Sequence, residues 1–581
     1  MNKLYTFCAT GLFLALAGCQ STPQRQAAID GPALVPQPAV ELPFEEPEAV
    51  AQELDEDLVF SYLVGEIGSR TGELRIALVH YLHAAMLARD AYAAERATRI
   101  ALHLKDFDQG LRASRRWVEL SPNSLAARQL SGVLLLRHGD TEGALRQFRA
   151  VVKIAEAMGK NGLLQVATAL NAEQDKPAAL QLMRALSADY PDRAESYYAL
   201  AIIEVGQQQL AEAETSLRKA IRLRPEWAMP RVLLSRVLVA RGRTAQGVRH
   251  IALAVAEYPD NQLMRLSYAR LLVGEQDYDK ALEQFRELYK RDSKDHEVHY
   301  AYAMLATQQN AWEEARGLWQ ALRANSRYKD EATYFLAQVE ELSGNTELAI
   351  GLYRSVGKGD FRVDAVIRGA GLLAESGRLD QAREEMAQAR ITHAERAEDL
   401  YVSETQLMQN AGVAADEVLS LYETALRAHP ESNDLLYNRG LYFSDLARFE
   451  EMEADFRAVL ARDQDHAEAL NALGYMLADR GVRLDEALTY ILRAHKLRPD
   501  NAAILDSLGW AYYRKGEYAT ALQYLRQAIA RGADDEISAH LGEVLWVSGE
   551  RNEARSVWQS ALEAAPESPH LRSVMERFLR Q

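Results

Sequence analysis

Residues 502–532 read AAILDSLGWAYYRKGEYATALQYLRQAIARG, and this stretch decides the fold. Leu505, Leu508, Gly509 and Tyr512 are followed by Ala521, Leu525 and Ala528, small and apolar residues at helical spacing on either side of a break. The next stretch repeats the order, with Leu541, Gly542 and Leu545 before Ala554, Trp558, Ala561 and Pro566. The preceding one does the same, with Leu473, Gly474 and Leu477 before Ala487, Ile491, Ala494 and Pro499. Each position has a physical reason. The Gly and the first Ala leave room where two helices cross closely. The bulky residue four later lies one turn on and fills the gap between pairs. The Pro cannot continue the second helix and so ends it.

Followed toward the N-terminus, the beat persists. Ala77, Gly110, Ala144, Ala179, Ala213, Gly247, Ala281, Ala315, Ala349, Ala382, Val418, Met452, Ala487, Ala521 and Ala554 are spaced 33 to 36 apart, and eight of the fourteen intervals are 34. Pro122, Pro191, Pro225, Pro259 and Pro430 recur at the closing offset. In the middle units Ala167, Ala201, Ala269, Ala303 and Ala337 replace the Gly, so small size survives where the residue does not. A period of this length marks stacked helix–turn–helix units rather than separate compact domains. The irregular places are the interval of 36 between Ala382 and Val418 and the run Gly357-Lys358-Gly359.

This pattern resembles the tetratricopeptide repeat, a Leu-Gly pair, an aromatic, then Ala, a bulky residue, Ala and a closing Pro. The resemblance implies an all-α solenoid, a right-handed superhelix of about 15 units, over residues 53–566. Residues 567–581 are expected to form a capping helix, since Leu571, Val574, Met575, Phe578 and Leu579 share one apolar face.

Length alone would suggest several domains at about 150 residues each, but one repeating phase over residues 53–566 of the 581 implies one continuous stack. The net charge of −16 argues against a nucleic-acid partner, which would favour clustered Lys and Arg. Between Gln20 and Asp57 there are nine acidic residues and only Arg25. Both cysteines, Cys8 and Cys19, lie in the first twenty residues, so no disulfide and no Cys-based metal site is expected in the repeats.

The N-terminus reads as an address. Lys3 precedes a mostly apolar run from Leu4 to Ala17, too short to span a bilayer and typical of a secretory leader. It ends in Leu16-Ala17-Gly18-Cys19, which resembles the lipobox of bacterial lipoproteins. That resemblance implies a signal peptide over residues 1–18 and a lipidated Cys19, with lipid on its sulfur and its amine. Gln20 stands where an Asp would signal inner-membrane retention, which points to the periplasmic face of the outer membrane. Residues 19–52 are rich in Pro and acidic residues and are expected to act as a tether, its about thirty residues from Gln20 to Val50 reaching roughly 90 Å fully extended at ~3.1 Å each, or as a binding segment that orders on a partner.

No catalytic site, cofactor or metal is expected. Gly357-Lys358-Gly359 lacks the glycine spacing of a phosphate loop. His80/His83 and His296/His299 have i,i+3 spacing but no zinc-protease motif around them. The informative surface is the one that first helices line in tetratricopeptide arrays, whose fifth and ninth positions point into the groove. By that resemblance Tyr198, Tyr300, Tyr334 and Tyr437 take the fifth position, and Tyr475 and Trp510 the ninth. Amphipathic rings suit a groove that is both apolar and wet, and equally suit packing between repeats. The Lys and Asn of a terminal-carboxylate clamp are absent there: Tyr198 and Ile202, or Asp506 and Trp510, stand instead.

A lipidated leader, an acidic tether and repeats beyond it look like the long tetratricopeptide lipoproteins of Pseudomonas-type bacteria. The resemblance implies a non-enzymatic scaffold that binds a periplasmic carboxyl-terminal processing protease and its peptidoglycan hydrolase substrates. The same organisation occurs in assembly lipoproteins for polysaccharide export, pili or outer-membrane machinery.

Overall fold

The computed structural model describes residues 56–87, 91–357, 359–532 and 534–579. Cys19, the leader and the tether lie outside the described residues. Among the described residues there are 31 α-helices, one 3-10 turn and no strand, running from Glu56–Thr71 to Pro569–Leu579. None of these helices is long and apolar enough to cross a membrane.

The sequence phase is the structural phase. Each of the fifteen recurring residues, from Ala77 in Leu74–Leu87 to Ala554 in Arg551–Ala564, is the fourth residue of the second helix of a pair. All fifteen are buried, including Gly110, Gly247, Val418 and Met452. One turn later, the eighth residue of the same helices is large in all but one case. Tyr81, Phe148, Met183, Leu217, Ile251, Phe285, Trp319, Tyr353, Met386, Tyr422, Phe456, Ile491, Leu525 and Trp558 are all buried, and Ser114 is the exception. Fully burying a side chain of this size contributes about 1.5–3 kcal/mol.

In most pairs the room for these side chains comes from the first helix, whose eighth residue is small, the exceptions being Leu63, Arg99, Leu336 and Glu404. A Cβ added to Gly132 would lie 3.0 Å from Phe148 Cζ, on Gly440 2.7 Å from Phe456 Cε1, and on Gly509 2.5 Å from Leu525 Cγ. A Cβ on Gly542 would fall inside the Trp558 indole. Where the large residue has a polar tip, a partner meets it. Trp319 Nε1 donates to Thr307 Oγ1 at 2.9 Å, Trp558 Nε1 to the Ala539 carbonyl at 3.2 Å, and the Tyr81 hydroxyl to Glu66 Oε1 at 2.6 Å. Those bonds remove the penalty of burying a donor.

The chain divides into two compact units, one ending at Leu322 and the other starting at Arg323. In the first, cores form around Tyr81 and Trp117, around Phe148, Leu170 and Met183, around Leu217 and Leu234, and around Ile251 and Met264. In the second, Tyr422, Phe456, Leu473 and Ile491 share one core, and Leu525, Val544, Trp558 and Leu571 another. The last helix, Pro569–Leu579, lays Leu571 and Val574 onto the latter, with Phe578 6.1 Å from Trp558. Ser568 caps it, accepting from the Leu571 amide at 3.2 Å while its hydroxyl donates to Asp535.

Two irregularities of the sequence have local solutions. The 36-residue interval holds the 3-10 turn Ala394–Arg396, inserted between Leu379–Thr392 and Ala397–Asn410. Before Gly359, which has φ of 114°, the helix Thr346–Ser355 is only ten residues long, and the Gly357 amide donates to Asp330 Oδ1 at 3.0 Å. Lys358 lies outside the described residues.

A further tie was not legible as a motif. The carbonyl of the closing Pro accepts from a side chain six residues on: Arg128 on Pro122, Arg231 on Pro225, Arg265 on Pro259, Arg572 on Pro566 and Tyr197 on Pro191, at 2.6 to 3.0 Å. Arg128, Arg231 and Arg265 also reach the following second helix, at Gln147, Glu257 and Gln284. Each such arginine fixes a turn and joins it to the next helix.

Two alanine substitutions at the eighth residue of a first helix separate crowding from helix propensity. Gly542→Ala is expected to destabilise by about 1–3 kcal/mol through overpacking against Trp558. Gly369, whose nearest neighbour to an added Cβ is Tyr353 Cβ at 3.4 Å, is expected to tolerate Ala or gain up to about 1 kcal/mol of helix propensity. Urea unfolding followed by circular dichroism and tryptophan fluorescence checks both.

Candidate functional site

Helix phase puts Tyr198, Tyr300 and Tyr437 fifth, and Tyr475 and Trp510 ninth, in their first helices; Tyr334 is sixth, because its helix begins at Lys329. Their surroundings divide them. Tyr198 is 4% exposed, with its ring edge-on to Trp227 at 4.9 Å. Tyr334 is 8% exposed, among Phe361, Phe335 and Tyr353. Trp510 is 7% exposed. Rings covered to this extent pack between repeats and leave little face for a partner, the second of the two roles open to them. Tyr300, Tyr437 and Tyr475 are half-buried and keep an edge accessible. Even so, Tyr300 stands edge-on to Trp319 at 5.4 Å, and Tyr437 lies 5.7 Å from both Phe456 and His466.

The structure brings two of the six together. Three successive first helices of the second unit, Ala467–Asp479, Ala502–Arg514 and Asp535–Ser548, contribute Tyr475, Trp510 and His540. The Trp510 ring stacks on the His540 ring at 4.1 Å and its indole N–H donates to Asp479 Oδ1 at 3.1 Å. His540 Nδ1 lies 2.9 Å from Asp506 Oδ2, and Asp506 is 5% exposed. The Tyr475 hydroxyl donates to Glu536 Oε1 at 3.0 Å, reaching across two repeats, and its ring is 6.2 Å from His540. Beside them the Tyr513 hydroxyl donates to Glu543 Oε1 at 3.0 Å.

The electrostatics follow from this packing. Burial works against the His540 imidazolium, but Asp506, joined by Glu536 and Glu543, outweighs it and holds the group above its ordinary range. Burial pushes the Tyr475 phenol far up, and Glu536, Asp479 and Asp506 add to the shift. Asp534 is raised by burial as well. The arrangement is a ring-and-carboxylate face whose charges are tied to neighbours from successive repeats. His540 was not singled out from the sequence, and Asp506 only as the residue beside Trp510 that replaces a clamp; the available signal was a charged residue amid the apolar positions of each helix. Trp227, which covers Tyr198, was missed for lack of any local motif.

One histidine of each i,i+3 pair has a packing or hydrogen-bond partner. His80 stands edge-on to Phe60 at 5.6 Å, and His299 Nε2 lies 2.9 Å from the Leu318 carbonyl. Among the described residues no group of three or more His, Cys, Asp or Glu is arranged to hold a metal ion.

Two family models, both described as tetratricopeptide repeat, match residues 272–339 and 512–578 in one case, and 166–226, 232–296, 437–502 and 483–536 in the other. The chain belongs to the tetratricopeptide repeat family. It is 34% identical over 545 residues to the TPR repeat-containing protein PA4667 of Pseudomonas aeruginosa, covering 94% of this chain and 90% of that protein. Among solved structures it is similar to the APC/C hetero-tetramer Cut9-Hcn1 at 12% identity and a TM-score of 0.31, over 90% of this chain and 96% of that one. It is also similar to Naa15/Naa10 bound to HypK-THB, at 13% identity and a TM-score of 0.30, over 90% and 99%. Tetratricopeptide repeats make the chain a protein–protein interaction scaffold, with proteins as its partners.

A raised His540 pKa means that its protonated form favours the folded state. That contribution is complete below the ordinary histidine value near 6.5 and is lost as pH rises through the higher folded value. In a histidine NMR titration, His540 is expected to titrate above about 6.5. Asp506→Asn is expected to bring the midpoint below that value, because burial then acts with less opposition. An unchanged midpoint would assign the shift to Glu536 and Glu543.

Proposed function

We propose that this chain is a non-enzymatic periplasmic adaptor, anchored by lipid on Cys19 to the outer membrane. In this reading it binds a carboxyl-terminal processing serine protease together with that protease's protein substrates, peptidoglycan hydrolases, and promotes their degradation. Its organisation resembles LbcA, the lipoprotein adaptor of such a protease in Pseudomonas. The observation that carries the reading is the single repeat phase, kept by every helix pair from Leu74–Leu87 to Arg551–Ala564 behind a lipobox-like Leu16-Ala17-Gly18-Cys19. The relative in Pseudomonas aeruginosa, matched over 90% of its length, supports a bacterial setting.

The physical logic is effective concentration. A scaffold that holds protease and substrate at different repeats converts their encounter into an intramolecular event, with a local concentration in about the millimolar range for short flexible links. No new active site is required for the gain. The ring edges of Tyr300, Tyr437 and Tyr475 are the proposed contacts for partners. The near-buried Tyr198, Tyr334 and Trp510 then pack their own repeats against neighbours.

Two measurements test the proposal. Cys19→Ser is expected to move the protein from the membrane fraction to the soluble periplasm, and persistent membrane association would sink the anchor. Crosslinked pull-down of the lipidated protein is expected to recover a serine protease and cell-wall hydrolases. Recovery of an outer-membrane barrel or secretin instead would favour an assembly role and overturn the adaptor reading.

A further inference from the structure

In a chain of net charge −16, the stretch between Glu226 and Glu257 holds no acidic residue, yet it carries Arg231, Arg236, Arg241, Arg243 and Arg249. Local sign reversal on that scale is informative once the paired cations are set aside. Arg231 is committed to Glu257 at 3.0 Å and to the Pro225 carbonyl. Arg243 reaches Glu214 at 2.8 Å, and Arg241 pairs with the same carboxylate. Arg249 is exposed on the second helix Thr244–Glu257. That leaves Arg236.

Arg236 is the ninth residue of the first helix Ala228–Ala240, and the ninth residue of the next first helix, Gln262–Gly274, is Arg270. Both are half-buried. Among the described residues, neither makes an ion pair within 4.0 Å or a guanidinium hydrogen bond. The two helices pack on each other, and the charge of Arg270 is close enough to Arg236 to disfavour its protonated form, on top of burial. Burial likewise lowers Arg270, with Glu297 and Asp295 of the following repeat opposing from a distance. Asp295 is already engaged as a helix cap, accepting from the Glu297 and Val298 amides at 3.1 Å. Tyr198 flanks the pair from the preceding repeat, its phenol pushed up to about 12 by burial and drawn back by Arg236.

Two half-buried cations repelling each other without a carboxylate between them cost stability in the free protein. Arginine is well suited to the missing group, because its planar fork matches a carboxylate in two hydrogen bonds. The neighbouring ninth positions, Ile202 and Met304, are apolar, so the charged step is confined to two repeats with apolar footing on either side.

We propose that Arg236 and Arg270 form a carboxylate-binding step on the first-helix face of the first unit, where an acidic linear segment of a partner protein docks through Asp or Glu side chains. The proposal rests on the scaffold reading and adds a location and a ligand chemistry to it. Charge complementarity names the occupant: a segment whose carboxylates are spaced to meet cations one repeat apart, with apolar residues to either side.

The experiment uses the full mature chain and a fluorescein-labelled peptide of alternating Glu and Leu residues, amidated at its C-terminus, read by anisotropy. The wild type is expected to bind it, and the double variant Arg236→Gln/Arg270→Gln to lose at least about tenfold in affinity. Arg249→Gln is expected to bind like the wild type. Because the pair is uncompensated, the double variant is also expected to melt at the same temperature as the wild type or higher, which residues serving only structure would not do. Equal binding of the matching Lys peptide would overturn the site, as would unchanged affinity in the double variant. If only peptides with a free C-terminal carboxylate bind, the side-chain source is wrong. Any of these failures, alongside an intact pull-down of partners, leaves the scaffold reading standing and removes only this site.

Discussion

Two positions one turn apart govern this molecule: a small fourth residue and a large eighth residue on each second helix. The fourth, Ala in most repeats, lets the first helix approach closely, and the eighth then projects into the space that approach defines. The first helix answers with a small residue of its own, as when Gly440 admits the Phe456 ring and Gly542 the Trp558 indole. The fit is steric and local, so it is repeated unit by unit without long-range register. A solenoid of this kind derives its stability from neighbours, and its surface is correspondingly free to vary.

Polar ties act on top of this packing and link one unit to the next. The arginine six residues after a closing proline holds the turn by its carbonyl, and in three repeats it also reaches the following second helix. Longer bridges do the same work in the second unit. Glu453 joins Arg457 of its own helix to Arg483 beyond the next turn, and buried Glu404 accepts from both Arg383 and Arg390. Exposed pairs of this type contribute little, about 0–1 kcal/mol. Buried Glu404 differs, since removing either arginine would leave one oxygen of a desolvated carboxylate without its cation. These ties specify relative orientation more than they add stability.

The fold was legible because its determinants are residue sizes at fixed spacing. Ala77 through Ala554 announce themselves, and even Val418 and Met452, too large for the rule, keep the phase and are buried. The candidate site was legible only in part. The sequence places Tyr198 at a fifth position and Trp510 at a ninth, but it does not say that Trp227 will cover the one or that His540 will stack on the other. Those outcomes depend on which side chains arrive from neighbouring repeats, about 34 residues away in sequence. The 3-10 turn Ala394–Arg396 shows the same limit, since an interval of 36 declares an insertion without declaring how it is absorbed.

Partnerlessness is the property a sequence conceals most completely. Arg231 and Arg236 sit in one helix of like charge and similar surroundings, yet one is clasped by Glu257 and the Pro225 carbonyl while the other has no carboxylate. A scaffold that derives its stability from apolar packing can leave such charges unpaired, because the eighth-position side chains, here Leu217 and Ile251, hold the helices in place without them. The tied carboxylates around His540 show the opposite arrangement, in which each charge is answered from within the array. A partner gains most where the scaffold has left a charge unanswered. In the first unit, the pair of ninth-position arginines meets that condition on two adjoining helices at once.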